Sequence, residues 1–166
     1  MLEIFYPDNE AQNAYGIDYE GLYGRGYRGV IFDIDNTLVP HGAPADDRAV
    51  EFFAGLRKLG YRTVLLSNNK EPRVRPFADR VSSNYICDAG KPGRGGYERA
   101  MELMGTSPES TLFVGDQLFT DVWGAKRAGI VSYLVKPIHP KEEMQIMLKR
   151  RLERIVLFFY HRKKRQ

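Results

Sequence analysis

Apolar and polar positions alternate in blocks along this chain, and the blocks change period. Gly29-Val30-Ile31-Phe32 is a nearly continuous apolar run that reaches Ile34, and Val30–Ile34 is predicted as a strand buried on both faces. After it, Val50, Phe53, Leu56 and Leu59 recur at helical spacing. Asp46 or Asp47 is placed to cap that helix and Gly60 to end it. The same alternation continues. Thr63–Leu66 reads as a strand, Arg73–Arg80 as a helix and Tyr85–Cys87 as a short strand. Gly95–Met104 reads as a helix closed by Gly105, Thr111–Val114 as a strand, and Asp121–Ala128 as a helix ended by Gly129. Ile130–Val135 is the last strand, and a long helix is expected from Lys141 onward.

Strand and helix in strict alternation give an α/β fold, a three-layer Rossmann-like parallel sheet with helices on both faces. The pattern predicts about five strands. Leu38 to Tyr61 leaves room for one helix, and Ser67 to Lys91 for one helix and one strand, so no large cap domain is expected and the site should be open to solvent. A chain of 166 residues is expected to form one domain overall. Within it, residues 1–27, rich in Tyr and Gly, are predicted as an N-terminal extension of short helix and loop on the sheet edge. Residues 28–137 form the expected catalytic part, and residues 138–166 an amphipathic helix with a basic tail.

Four polar clusters follow four of these apolar runs. They are Asp33-Ile34-Asp35-Asn36-Thr37, Ser67-Asn68-Asn69, Lys91-Pro92, and Gly115-Asp116 through Asp121. In a parallel sheet the strand ends share one edge, where ligands bind. Two acids as close as Asp33 and Asp35 repel unless a cation or a shared proton relieves them. Together the clusters suit phosphoryl transfer. A carboxylate can attack phosphorus and split one difficult displacement into two. Mg²⁺ can screen its approach to an anionic phosphate. A second acid can protonate the leaving oxygen and then activate water, and a hydroxyl and a fixed cation can hold the phosphoryl oxygens. Asp33, Asp116, Asp35, Ser67 and Lys91 supply these parts. Taken singly, Asp116 also reads as a turn residue, Asp121 as a helix cap, Ser67-Asn68 as a turn and Lys91 as a solvated side chain.

The ordered set closely resembles the haloacid dehalogenase superfamily, whose motifs are D-x-D-x-T, a strand-end Ser/Thr, a Lys and G-D-x4-D. The resemblance spans roughly residues 28–135. It implies Asp33 as nucleophile and Mg²⁺ ligand, and Asp35 as general acid/base with its backbone carbonyl on the metal. It implies Asp116 as a metal ligand and Asp121 as one, directly or through water. Ser67 and Lys91, helped by the Asn68 backbone amide, would hold the phosphoryl group, and Thr37 and Gly115 would brace the loops. The acid at position 35 matches the phosphatase pattern. Within the superfamily, the D-I-D-N-T-L-V, L-S-N-N, A-G-K-P and G-D-Q-x-x-T-D stretches resemble the small YqeG-type subfamily IIIA phosphatases. These are similar to phosphatidylglycerophosphate phosphatases, which implies a lipid phosphate substrate.

Charge changes the picture at one end only. Residues 149–166 hold eight Lys/Arg and one acid, Glu153, while the rest of the chain is net acidic. The apolar residues Met144, Met147, Leu148, Leu152, Ile155, Phe158 and Phe159 recur there at helical spacing. A basic amphipathic helix fits an anionic membrane, where each Lys/Arg is worth about 1 kcal/mol. It equally fits a core-packed terminal helix with a basic tag, or an RNA or ribosome contact. No secretory signal or membrane-length apolar run is seen, so a cytoplasmic protein, peripheral at the inner face of the membrane, is expected. Cys87 is the single cysteine and reads as an inert strand thiol. His41 is placed near the first cluster, and no histidine is assigned a catalytic role. The rival readings are a phosphatase for soluble sugar or nucleotide phosphates and a non-enzymatic RNA- or ribosome-binding module of the same fold.

Overall fold

Runs of Val, Ile, Leu and Phe become strands here because helices cover both sides of the sheet, so the side chains of the central strands have apolar neighbours on either face. The computed structural model describes residues 2–139 and 144–165, with the side chains of residues 144–147 also outside the description. The strands are β1 (Asn9–Ala11), β2 (Gly29–Phe32), β3 (Arg62–Leu66), β4 (Asn84–Ile86), β5 (Thr111–Gly115) and β6 (Val131–Val135). The helices are α1 (Tyr19–Gly24), α2 (Asp47–Leu59), α3 (Glu71–Val81), α4 (Arg94–Met104), α5 (Trp123–Arg127) and α6 (Met144–Lys164). The six strands are ordered β1-β6-β5-β2-β3-β4, and each pair is parallel. This is the expected Rossmann-like α/β fold.

Side chains alternate across β2. Val30 and Phe32 enter one core with Phe53, Leu56, Leu65 and Phe77. Ile31 enters the opposite core with Val64, Tyr97, Met104 and Phe113. The helix boundaries have local causes. Asp46 accepts the Ala49 N–H at 2.8 Å at the start of α2, and Gly60 ends that helix at φ 104°, a left-handed conformation that glycine adopts without a steric penalty.

Two elements differ from the sequence expectation. The N-terminal segment contributes a sixth strand, β1, beside β6. Its three residues, Asn-Glu-Ala, carry no apolar period, and what places them is backbone pairing to β6. The segment after β5 does not open as an α-helix at Asp121. Leu118–Val122 forms a π-helical turn that leads into α5.

The inner face of α6 buries Glu153, Val156 and Tyr160. Val156 joins Leu118, Val122 and Leu134 in a third apolar cluster. Tyr160 meets Tyr6 edge-on at 5.2 Å between centroids, and Lys163 pairs with Glu3. The terminal helix is therefore packed on the body through one face. The expected start at Lys141 and the Met144 and Met147 side chains lie outside the described residues. No described helix is long and apolar enough to cross a membrane.

Candidate active site

β2 lies between β5 and β3, with Phe32 beside Val114 on one side and Leu65 on the other. The residues just past these strands, Asp33, Gly115-Asp116 and Leu66-Ser67, therefore emerge side by side. The Asp33 N–H continues the ladder by donating to the Val114 carbonyl at 3.0 Å. The chain passes from β2 to β3 on one flank and returns as β5 on the other. The cluster thus sits at the carboxyl ends of the strands at the switch in strand order, where α/β sheets bind ligands.

Three carboxylates converge there. Asp33, Asp116 and Asp121 are buried, and each offers an oxygen within 4.8 Å of the others. Lys91 bridges two of them, its Nζ donating to Asp33 Oδ1 and Asp121 Oδ1 at 2.7 Å each. Thr37 Oγ1 lies 3.0 Å from Asp116 Oδ1 and 3.3 Å from Asp33 Oδ2, so it ties the first loop to the fourth. Asp121 Oδ2 accepts the backbone N–H groups of Asp116 and Gln117, both at 3.1 Å. Its carboxylate faces back into the cluster rather than forward to cap α5. Gly115 permits this approach, because a Cβ there would lie 2.5 Å from Asp121 Oδ2. From the opposite side, the Tyr97 hydroxyl of α4 donates to the Thr120 and Asp121 carbonyls at 3.0 and 3.1 Å.

Burial sets the electrostatics. It pushes the Asp33 carboxyl up to about 6, with Lys91 opposing and Asp121 reinforcing. It also raises Asp116, reinforced by the charges of Asp33 and Asp121 and opposed by Arg150. For Lys91, burial disfavours the charge, but Asp121 and Asp33 outweigh it and hold the ammonium protonated.

Ser67 and Asn68 flank Lys91. The Asn68 amide pairs twice with the Lys91 backbone, accepting its N–H at 2.8 Å and donating to its carbonyl at 3.1 Å. Ser67 is buried, and its Oγ accepts the Asn69 N–H at 3.1 Å. The Asp35 carboxylate stands outside the three-acid cluster. It accepts from Gly42 N at 2.7 Å, Asn69 Nδ2 at 2.8 Å and Arg73 at 2.9 Å. His41 is exposed.

Two participants escaped the sequence reading. Arg73, on α3, holds Asp35. Arg150, on α6, ion-pairs with Asp116 and also donates to its backbone carbonyl. Glu153, one turn on, holds Arg150 at 3.1 Å and accepts the Leu118 N–H at 2.8 Å. Glu153 was the one usable signal, being a lone acid among eight bases. The site expected to be open is thus partly roofed. Asp116 is covered by the terminal helix, and a cleft of about 1020 Å³ runs beside it, lined by Glu10, Lys136, Arg150, Arg154 and Leu157 among others.

The cluster fits a divalent cation. Three buried carboxylates meet one buried lysine and one arginine at the rim, which leaves negative charge uncompensated in a low-dielectric site. An all-oxygen donor set suits a hard ion such as Mg²⁺. Asp33, Asp116 and Asp121 are the residues that could hold it.

Comparison with known proteins agrees with this geometry. The profile of the haloacid dehalogenase-like hydrolase family matches residues 41–129. The chain is 35% identical over 164 residues to "Probable phosphatase YqeG" of Bacillus subtilis, covering 98% of this chain and 95% of that protein. It is 27% identical to the chloroplastic phosphatidylglycerophosphate phosphatase 1 of Chlamydomonas reinhardtii, covering 89% of this chain but 59% of that protein. The cobalt-bound deoxy-D-mannose-octulosonate 8-phosphate phosphatase of Haemophilus influenzae shares the fold. Its TM-score is 0.51 at 14% identity, over 68% of this chain and 80% of that one.

Proposed function

The chain belongs to the haloacid dehalogenase-like hydrolase family and is a phosphatase, and from that premise we propose that it cleaves a lipid phosphate monoester through an aspartyl-phosphate on Asp33. The observation that carries the reading is the convergence of Asp33, Asp116 and Asp121 around Lys91 at one sheet edge. In the first step an Asp33 carboxylate oxygen bonds to phosphorus, the ester P–O bond breaks, and Asp35 gives the leaving oxygen a proton. In the second step a water oxygen bonds to phosphorus, Asp35 takes the water proton, and the Asp33–phosphorus bond breaks to release inorganic phosphate. Asp33, Asp116 and Asp121, with the Asp35 carbonyl, would hold Mg²⁺, which supplies charge neutralisation of the phosphoryl oxygens.

The remaining residues position these groups. Ser67 and the Asn68 backbone N–H hold the phosphoryl oxygens together with the Lys91 ammonium. Thr37 keeps Asp33 and Asp116 in register, and Gly115 admits Asp121. Arg73 and Asn69 fix Asp35 apart from the three-acid cluster, which separates the nucleophile from the proton carrier.

Phosphatidylglycerophosphate is the substrate class favoured, on the strength of the matched phosphatases named for it. A substrate held in an anionic bilayer places the protein at the membrane periphery, and the basic residues 149–166 accord with that. The test is a substrate panel with Mg²⁺, including phosphatidylglycerophosphate in mixed micelles and soluble sugar and nucleotide phosphates. Turnover of the lipid, lost at least a thousandfold in Asp33→Asn, is expected. Faster turnover of the soluble esters than of the lipid overturns the lipid reading, and an unimpaired Asp33→Asn overturns the nucleophile.

A further inference from the structure

The inner face of α6 is accounted for by packing, but its outer face is not. Leu148, Leu152, Ile155, Phe158 and Phe159 are between 44% and 63% exposed. At 3.6 residues per turn, Leu148, Leu152, Ile155 and Phe159 fall within an arc of about 60°, with Phe158 beside it. Glu153, Val156 and Tyr160, which are buried, lie on the other side. A contiguous exposed apolar stripe of this kind marks an interaction surface. Arg151, Arg154, Arg162 and Lys163, all exposed, border or continue it.

We propose that this outer face is a docking surface for an anionic lipid bilayer, with α6 lying in the plane of the membrane. Charge decides between a bilayer and a second copy of the chain. Arg151, Arg154 and Arg162 are exposed beside the stripe, and the one acid of residues 149–166, Glu153, lies on the buried side, so face-to-face pairing would set like charges together, whereas anionic headgroups meet them. Length decides the orientation. Leu148 to Phe159 spans about 16 Å, roughly half the hydrocarbon thickness of a bilayer, and the flanking arginines belong at headgroup level. A helix apolar on its outer face and salt-bridged on its inner face lies on a membrane rather than through it.

The docking face is joined to the site. Leu148 stands about 3 Å of helical rise from Arg150, which pairs with Asp116. Arg150 lies on the opposite side of the helix from the stripe, so docking holds the acid cluster about one helix diameter, roughly 10 Å, from the membrane surface, a purpose that rests on the lipid-phosphate reading of the site.

The test uses the full chain with vesicles of phosphatidylcholine alone or mixed with phosphatidylglycerol. Co-sedimentation with the anionic vesicles only, weakened by salt, is expected. The double variant Leu152→Asp/Ile155→Asp changes only exposed positions. It should bind the anionic vesicles at least tenfold more weakly while keeping its melting temperature and its turnover of a small soluble aryl phosphate within twofold. Absence of wild-type binding, or undiminished binding by the double variant, overturns the proposal. So does a dimer in solution that the double variant dissociates, which would assign the face to a second copy. Vesicle binding without hydrolysis of a vesicle-borne phosphate monoester would uphold docking and overturn the lipid-substrate reading. Hydrolysis without docking would do the reverse.

Discussion

Gly115 shows how little room the three acids have. A methyl group there would lie 2.5 Å from Asp121 Oδ2 and 2.6 Å from its Cγ, and Asp121 is fixed by two backbone N–H groups and Lys91. It cannot give way without breaking those bonds. Gly115→Ala is expected to cost about 1–3 kcal/mol, the range for overpacking a filled interior, and to lower phosphatase turnover more than tenfold. A denaturant melt and an assay with a soluble ester check both. Most of these residues were legible because each is a polar cluster closing an apolar run. Asp33, Ser67 and Asp116 follow strands, and strand ends share an edge. The direction of each carboxylate was not legible. Asp35 and Asp33 differ by two positions in sequence, yet one turns to Arg73 and the other to Lys91. That choice depends on a helix, α3, whose packing no local pattern records.

At the scale of elements, α6 does two things at once. Its inner face closes the third apolar cluster and roofs Asp116, and its outer face stays apolar in the open. Periodicity identified the helix but could not divide its faces, because both are apolar. The polar pair Arg150 and Glu153 marks the inner side. Glu153→Ala would leave the buried Leu118 N–H without its acceptor, at a cost of about 1–3 kcal/mol. The loss should appear as a lower denaturation midpoint with unchanged slope. It should be accompanied by reduced activity, since Leu118 begins the turn that carries Asp121. Undisturbed stability would mean that the helix is held by Val156 and Tyr160 alone. β1 was illegible for a different reason, since three residues without an apolar period are strand only by virtue of their neighbour.

For the molecule as a whole, the acid cluster couples stability to pH and, as a proposed metal site, would couple it to cations. Burial raises Asp33 from 3.8 to about 6 and raises Asp116 as well. A carboxylate with a raised folded value holds its proton more tightly when folded. Its contribution is intact below the unfolded value and is lost as pH rises between about 4 and about 6. Held by Asp33, Asp116 and Asp121 as proposed, Mg²⁺ would need the deprotonated carboxylates and would relieve their repulsion. At a hundred times Kd it would stabilise the fold by about 2.7 kcal/mol. The melting temperature should therefore rise with Mg²⁺ at pH 7.5 and far less at pH 5. Equal shifts at both values would place the ion elsewhere.

The pairing of β1 with β6 has a consequence for how the chain comes into being. Asp8 and Ser132, which close that edge, are 124 residues apart. A ribosome adding about 5–20 residues per second would take on the order of 6–25 s between them. β1 therefore emerges well before its partner β6 and waits with its backbone groups unpaired. A longer or apolar strand in that position would be a template for joining with other nascent chains. Asn9-Glu10-Ala11 is short and polar, and it can wait in water without recruiting them.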